Sequence, residues 1–260
     1  MAQIFINGNY KDEMGNTVIA PADCQKISVE FRGRNNTLII NENSGARNTL
    51  VSFPSDSGTC IIGAEGNYCG KIRVGWECTV IIGSHVTCTT ACAIYTAERT
   101  CAIIGDDCML AAHVIIRTED SHAIYDIKSG ERTNSSRNIF VGQHVWLAED
   151  AILLSGTKIG AGSVIAVRSV VKGALPNNVT AAGIPCKVIK KNTAWERPNI
   201  AFNEPWVRSN AKIQNLVESA QTWKLTGNQN EPISLGRFSY NTLKSLEQKI
   251  QNINISDFSE

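Results

Sequence analysis

A period of six residues runs through the middle of this chain and limits its fold more than any other feature. From Val141 an aliphatic side chain returns at every sixth position: Val141, Leu147, Leu153, Ile159, Ile165 and Val171. Four residues after each of the first five stands a compact residue, Val145, Ala151, Thr157, Ser163 and Ser169, with Leu175 as the exception that ends the run. The position directly after the aliphatic is often Gly or Ala, as at Gly142, Ala148, Gly160 and Ala166. Shorter runs keep the same step at Ile82, Cys88, Ile94 and at Ile104, Leu110, Ile116. An α-helix repeats at about 3.6 residues and a plain strand at about 2, so neither sustains sixes. Hexads are the signature of a parallel β-helix. Each hexad supplies one flat side of a triangular coil; the aliphatic points inward and the compact residue fits where the chain turns a corner.

A longer period encloses the hexads. Thr37-Leu38-Ile39-Ile40 returns as Thr59-Cys60-Ile61-Ile62, Thr79-Val80-Ile81-Ile82 and Cys101-Ala102-Ile103-Ile104, at steps of 20–22 residues. The next copy, Asn138-Ile139-Phe140-Val141, comes 37 residues on. The first steps are one coil with a few extra corner residues, and the last is one coil interrupted by a loop over 119–138. The expected organisation is therefore all-β: a lead-in over 1–26, a β-helix over 27–192 whose first coils are irregular, and an extension over 193–260. Within the extension, Val207, Ile213, Leu216, Val217, Ala220 and Trp223 fall at helical spacing, as do Leu243, Leu246, Ile250 and Ile253. Two helices are expected there, over 206–224 and 240–253.

Composition narrows the function classes. Hydrophobic residues make up 43% and charged ones 19%, the balance of a globular protein with a core. The formal net charge of +1 gives no global field for nucleic acid. No stretch approaches the ~20 apolar residues of a membrane span, and the opening MAQIFINGNY carries no basic region followed by an apolar run. Nine cysteines occur without a CxxC pair, so neither a disulfide framework nor a metal site is expected. Reduced thiols point to a cytoplasmic setting. Cys78, Cys92 and Cys108 occupy the compact hexad slot and read as small apolar fillers.

A long loop in a regular solenoid is where function concentrates. This one holds a single histidine, His122. The other three, His85, His113 and His144, each follow a hexad aliphatic by three residues and precede a Val. One structural explanation covers those three and does not cover His122. An imidazole, with its pKa of about 6.5, suits general-base chemistry near neutral pH. Asp120, two residues earlier, is placed either to orient that ring or simply to meet solvent. Trp146 falls in an outward slot, five after Val141, where a large aromatic covers a ligand or a neighbouring subunit.

From about Ile103 to Arg197 the chain resembles the bacterial polysaccharide O-acetyltransferases of the hexapeptide-repeat superfamily. The matching phrases are Ile104-Gly105-Asp106-Asp107-Cys108-Met109, Asp120-Ser121-His122, Ile124-Tyr125-Asp126, Gly130-Glu131-Arg132, His144-Val145-Trp146-Leu147, Gly183-Ile184-Pro185 and Trp195-Glu196-Arg197. The resemblance implies a left-handed coil and transfer of acetyl from acetyl-CoA to a sugar hydroxyl. It also implies a homotrimer with sites between subunits. His122 matches the catalytic base of that family and Trp146 its partner at the acetyl group. Lys172, Lys187 and Lys190 match coenzyme A contacts, and Ala148, Glu149 and Val167 fall beside them. Ala148 stands where Gly is frequent, and Cys186 where Ala is. Tyr125 and Arg132 are available for sugar stacking and hydrogen bonding. Two alternatives remain at this stage: an N-acetyltransferase on an amino-sugar nucleotide, and a structural β-helix without chemistry.

Overall fold

The computed structural model describes residues 3–202, and the two helices expected over 206–224 and 240–253 lie outside them. The strands form three sheets of eight, nine and six strands, which we call faces A, B and C. The early rungs alternate between faces A and B; from Gly70–Val74 onward the chain visits them in the order A, B, C, one rung above the last. Thus Cys92–Thr96 lies on face A, Cys101–Ile104 on face B and Met109–Leu110 on face C, before Ile115–Arg117 returns to face A. Pairing between rungs is parallel and in register, for example Ile82 with Ile104 and then Val141, or Leu110 with Leu147 and then Ile165. Antiparallel strands close the ends: Ile4–Phe5 against Gln25–Phe31, Tyr10–Lys11 against Thr17–Ile19, and Cys186–Lys191 against Val179–Gly183. They cap edges that would otherwise offer unpaired backbone to another chain. The segment expected as a lead-in already contributes a rung, since Thr17–Ile19 pairs in parallel with Thr37–Ile40.

The hexad aliphatics form the core. Val141, Leu147, Leu153, Ile159 and Ile165 are fully buried, and Val171 nearly so. Stacked on copies of themselves, such side chains contribute about 1.5–3 kcal/mol each. The compact residues sit at corners and those with hydroxyls satisfy backbone there. Thr157 donates to the carbonyls of Leu154 and Val171 at 2.7 and 2.9 Å, and Ser163 to that of Pro176 at 3.0 Å. Leu175 breaks the corner rule because its hexad is two residues short. It pairs with Ile159 and takes the inward slot on face B, so it continues the aliphatic series.

Tight corners demand positive φ. Along the edge between faces B and C, Asn43, Glu65, His85, Asp107, His144, Gly162 and Asn178 all have φ between 52° and 71°. From Glu65 onward each donates its backbone N–H to a carbonyl of the rung before, as His85 does to Ala64 and His144 to Asp106. Asp150 and Arg168 repeat both features between faces C and A, where His113 shares the positive φ, and Ser57, Glu77 and Arg99 repeat them between faces A and B. Polar residues such as Asn, Asp and His tolerate this backbone region better than branched ones. That is the shared slot of His85, His113 and His144. Beside it the rungs approach so closely that a Cβ on Gly105 would stand 2.6 Å from the Gln143 nitrogen, which explains a glycine directly after the aliphatic.

Candidate active site

The loop leaves the coil after Ile115–Arg117 on face A and re-enters at Ile139–Val141 on face B. It therefore projects from the A–B edge. Glu119 anchors its start. This carboxylate is 4% exposed and meets Arg73 at 2.7 Å, Arg117 at 3.2 Å and the backbone N–H of Ser121. Such a buried charge persists only because every partner is present. Beyond it the chain makes a short hairpin, with Thr133 N–H donating to Ile124 O, Asp126 N–H to Glu131 O, and Tyr125 bridging Arg132. Glu98 on the neighbouring corner clamps the returning arm through Arg132 and Ser136. The Arg132 guanidinium and then the Ser136 hydroxyl hold the Glu98 carboxyl down to about 2.

His122 lies exposed at the mouth of this hairpin, and its ring hydrogen-bonds no described residue. Its backbone is fixed. The Asn134 side-chain amide donates to the His122 carbonyl at 2.8 Å and to the Asp120 carboxylate at 3.1 Å. Asn134 Oδ1 accepts from Ile124 N–H at 2.8 Å and from Arg132 at 3.2 Å. Asp120 thus contacts the loop clip and not the imidazole. Tyr125 is 59% exposed and free to meet a ligand, whereas Arg132 is held by Glu98.

Trp146 belongs to Trp146–Leu147 on face C, the face opposite the A–B edge. A coil side of about six residues at ~3.3 Å each sets that edge on the order of 15 Å from face C, with the packed core between. His122 and Trp146 of one chain thus stand on opposite sides of the prism. Trp146 stands in an outward column after Thr87 and Met109, paired onward with Val164, which pairs with Thr180, which pairs with Lys190. Ala148, Glu149 and the exposed Val167 flank it on the C–A edge, and Lys187 lies exposed on the terminal hairpin. Three rungs at ~4.8 Å set Lys190 roughly 14 Å from Trp146 along a straight face. Lys172 is the outlier: it follows Val170–Val171 of face A and lies on the A–B edge. The expected site residues thus fall into two groups, one around His122 and one around Trp146.

Trp195-Glu196-Arg197 forms a strap that runs back along the B–C edge. Trp195 stacks on His144 with ring centroids 4.1 Å apart and donates its indole N–H to the His144 carbonyl at 2.9 Å. His144 in turn sets Nδ1 2.5 Å from Asp107 and Nε2 3.2 Å from the Trp195 carbonyl. Arg197 donates to Asp107, Thr87, the His85 carbonyl and the Cys108 carbonyl at 2.6–3.1 Å. Burial raises the Asp107 carboxyl, but the hydrogen bonds from His144 and Arg197 outweigh it and the net direction is down. Trp195 walls Trp146 on one side, their centroids 6.0 Å apart.

Sequence reasoning passed over Glu98, Asn134 and Glu119 as working parts. Of these, Glu119 has a sequence signal only in being the first residue of the interrupting loop. Cys78, Cys92 and Cys108 are buried, in keeping with their reading as apolar fillers, and burial pushes the Cys108 thiol up to about 12.

Comparison with known proteins agrees with this architecture. No protein-family model matches the chain. It is 35% identical over 122 residues to a polysialic acid O-acetyltransferase of Escherichia coli O1:K1, covering 47% of this chain and 39% of that one. It is 30% identical over 125 residues to a polysialic acid O-acetyltransferase of Neisseria meningitidis, covering 48% of this chain and 58% of that one. The match thus spans roughly half of these curated relatives, 39% of one and 58% of the other. Among solved structures, the polysialic-acid-specific acetyltransferase NeuO superimposes with a TM-score of 0.69 at 33% identity, covering 73% of this chain and 88% of that one.

Proposed function

The chain belongs to the hexapeptide-repeat polysaccharide O-acetyltransferases, and from that premise we propose that it moves an acetyl group from acetyl-CoA to a hydroxyl of a bacterial surface polysaccharide or its sugar precursor. The observation that carries this reading is His122: an exposed imidazole whose backbone is clipped in place by Asn134 and whose ring hydrogen-bonds no described residue. A sugar hydroxyl is too weak an acid to attack a thioester unaided. His122 takes its proton as the O–C bond forms and returns it to the sulfur as the C–S bond breaks, so no acyl-enzyme is needed. Asp120, held by Asn134, supports the loop and adds negative charge near the imidazolium that forms.

The coenzyme half-site fits face C. Trp146 offers an indole for the acetyl end, the exposed Val167 an apolar contact for the pantetheine arm, and Lys187 and Lys190 cations for the phosphates, with Ala148 and Glu149 alongside. Acetyl-CoA supplies the activated acyl group. Because His122 and Trp146 of one chain face away from each other, the working unit in this reading is a homotrimer. The loop of one copy meets face C of the next, and Lys172 on the A–B edge reaches the coenzyme of that neighbour. A cytoplasmic location follows from the use of acetyl-CoA.

The test is the bond formed. The glycan product should lose acetate in mild alkali, as an ester does. Acetyl retained under alkali would mean an amide, and with it an amino-sugar acceptor.

A further inference from the structure

Face A carries a cationic trough that leads to the catalytic loop. Ser52, Arg73, Tyr95 and Arg117 occupy successive rungs in one outward register column. The Tyr95 ring holds a guanidinium toward it from each neighbouring rung, Arg73 at 4.9 Å and Arg117 at 5.8 Å from its centroid. Cation–π contact of this kind fixes both guanidiniums in place. Lys71 stands two residues before Arg73 on the same strand, exposed. Together with Ser121, the residue before His122, these side chains line a cavity of about 430 Å³. A second cavity of about 460 Å³ shares Lys71 and Tyr95 and extends along the face past Lys26 to Phe5.

Anchoring Glu119 accounts for part of this arrangement only. One carboxylate meets two guanidiniums, and Lys71 donates to no described residue. Two positive charges exceed what Glu119 neutralises. Arg73 Nε and Nη1 and Arg117 Nη1 donate to no described residue either. Glu30, the other carboxylate on this column, lies a rung beyond Ser52 and outside the cavity. Guanidinium forks select planar carboxylates. The trough lies on the acceptor side, on a different face from the coenzyme residues around Trp146.

Resting on the acetyltransferase reading, the geometry points to a carboxylate subsite: Lys71, Arg73 and Arg117, spaced by Tyr95, bind a sugar acid of the acceptor next to the sugar being acetylated. The acceptor is then an acidic glycan, and the trough toward Lys26 takes further residues of the same strand.

The probes are short oligogalacturonate and oligosialate, each compared with its methyl ester, which keeps the skeleton and removes the charge. Binding to the full chain is measured by calorimetry, and acetyl transfer is measured on the same panel. At least one acid form should bind about tenfold tighter than its ester and weaken with salt. In Lys71→Glu that preference should fall below about threefold, and Lys71→Gln should lie between. Equal binding of acids and esters, no binding of either acid, or a preference untouched in Lys71→Glu overturns the subsite. So does a Lys71→Glu variant that instead raises KM for acetyl-CoA or changes the oligomeric state, since the trough then serves the coenzyme or a second copy. Transfer without acid preference defeats the subsite and leaves the acetyltransferase reading standing. Charge-dependent binding at Lys71 without transfer to any hydroxyl does the reverse.

Discussion

Four histidines separate into two kinds once the backbone is considered. His85, His113 and His144 adopt φ of 58°, 59° and 52° at coil corners, and each pairs with an acid on a neighbouring rung, Glu65, Asp150 and Asp107. His122 has no such slot and no such partner among the described residues. His122→Ala should therefore lose about 10²–10⁴-fold in acetyl transfer, the usual worth of a general base. Its melting temperature should stay within about a degree, since an exposed loop ring adds little to the core. His85→Ala removes an exposed contact with Glu65 and should keep transfer nearly intact. Side-by-side rates and melting curves decide; equal losses in both variants would mean that the wrong histidine carries the chemistry. Hexad phase made this distinction legible, because three histidines shared a register position and the fourth did not. Asn134 was not legible. Its four contacts, to residues 2–14 positions away, exist only once the hairpin has brought both arms together.

Elements divide along the same line between what repeats and what does not. The hexads announce strands, faces and core, and even Leu175, which looked like an exception, keeps the inward series by shortening its hexad. The strap gives no periodic signal. Its bonds join residues up to 112 positions apart, so Trp195 and Arg197 stood out only through resemblance. Trp195→Ala should cost about 3 kcal/mol of stability, since Trp195 is 7% exposed and stacked. It should also raise KM for acetyl-CoA more than it lowers kcat, because Trp146 loses one wall. Trp195→Phe restores the stacking and should recover most of the KM effect. A melting shift with unchanged KM would make the strap structural only. The loop clamp has a pH signature. Glu98 is held down to about 2, below the ordinary ~4.3 of a glutamate. A depressed carboxyl stabilises above its unfolded value and loses that contribution as pH falls through its folded one. The hairpin should thus stay clamped at pH 4 and release toward pH 2. The Glu98 carboxyl resonance should titrate near 2, and Glu98→Gln should speed proteolysis between Glu119 and Arg137 at neutral pH. A midpoint above 4 would rule the clamp out.

At the scale of the whole molecule, the proposed reaction has to use two groups of residues on opposite sides of the prism. Among the described residues the cavities on face A are open ones, and Trp146 lies on an outer face. In the proposed trimer no chain needs to bend, because a cyclic arrangement would bring the A–B edge of each copy against face C of the next. The chain should then sediment at three times 28.3 kDa. Mass alone does not show that the site is shared, and complementation does. His122→Ala and Trp146→Ala should each be inactive as pure trimers. Co-expressed with different tags and purified through both, they form trimers with two copies of one and one of the other. Around a threefold ring, one interface in three then joins an intact His122 to an intact Trp146. About a third of wild-type activity should return, whichever variant is in excess. Mixed trimers that stay dead would mean that both residues must come from one chain. The loop would then have to wrap the prism, against the Glu98 and Glu119 contacts that hold it to the A–B edge.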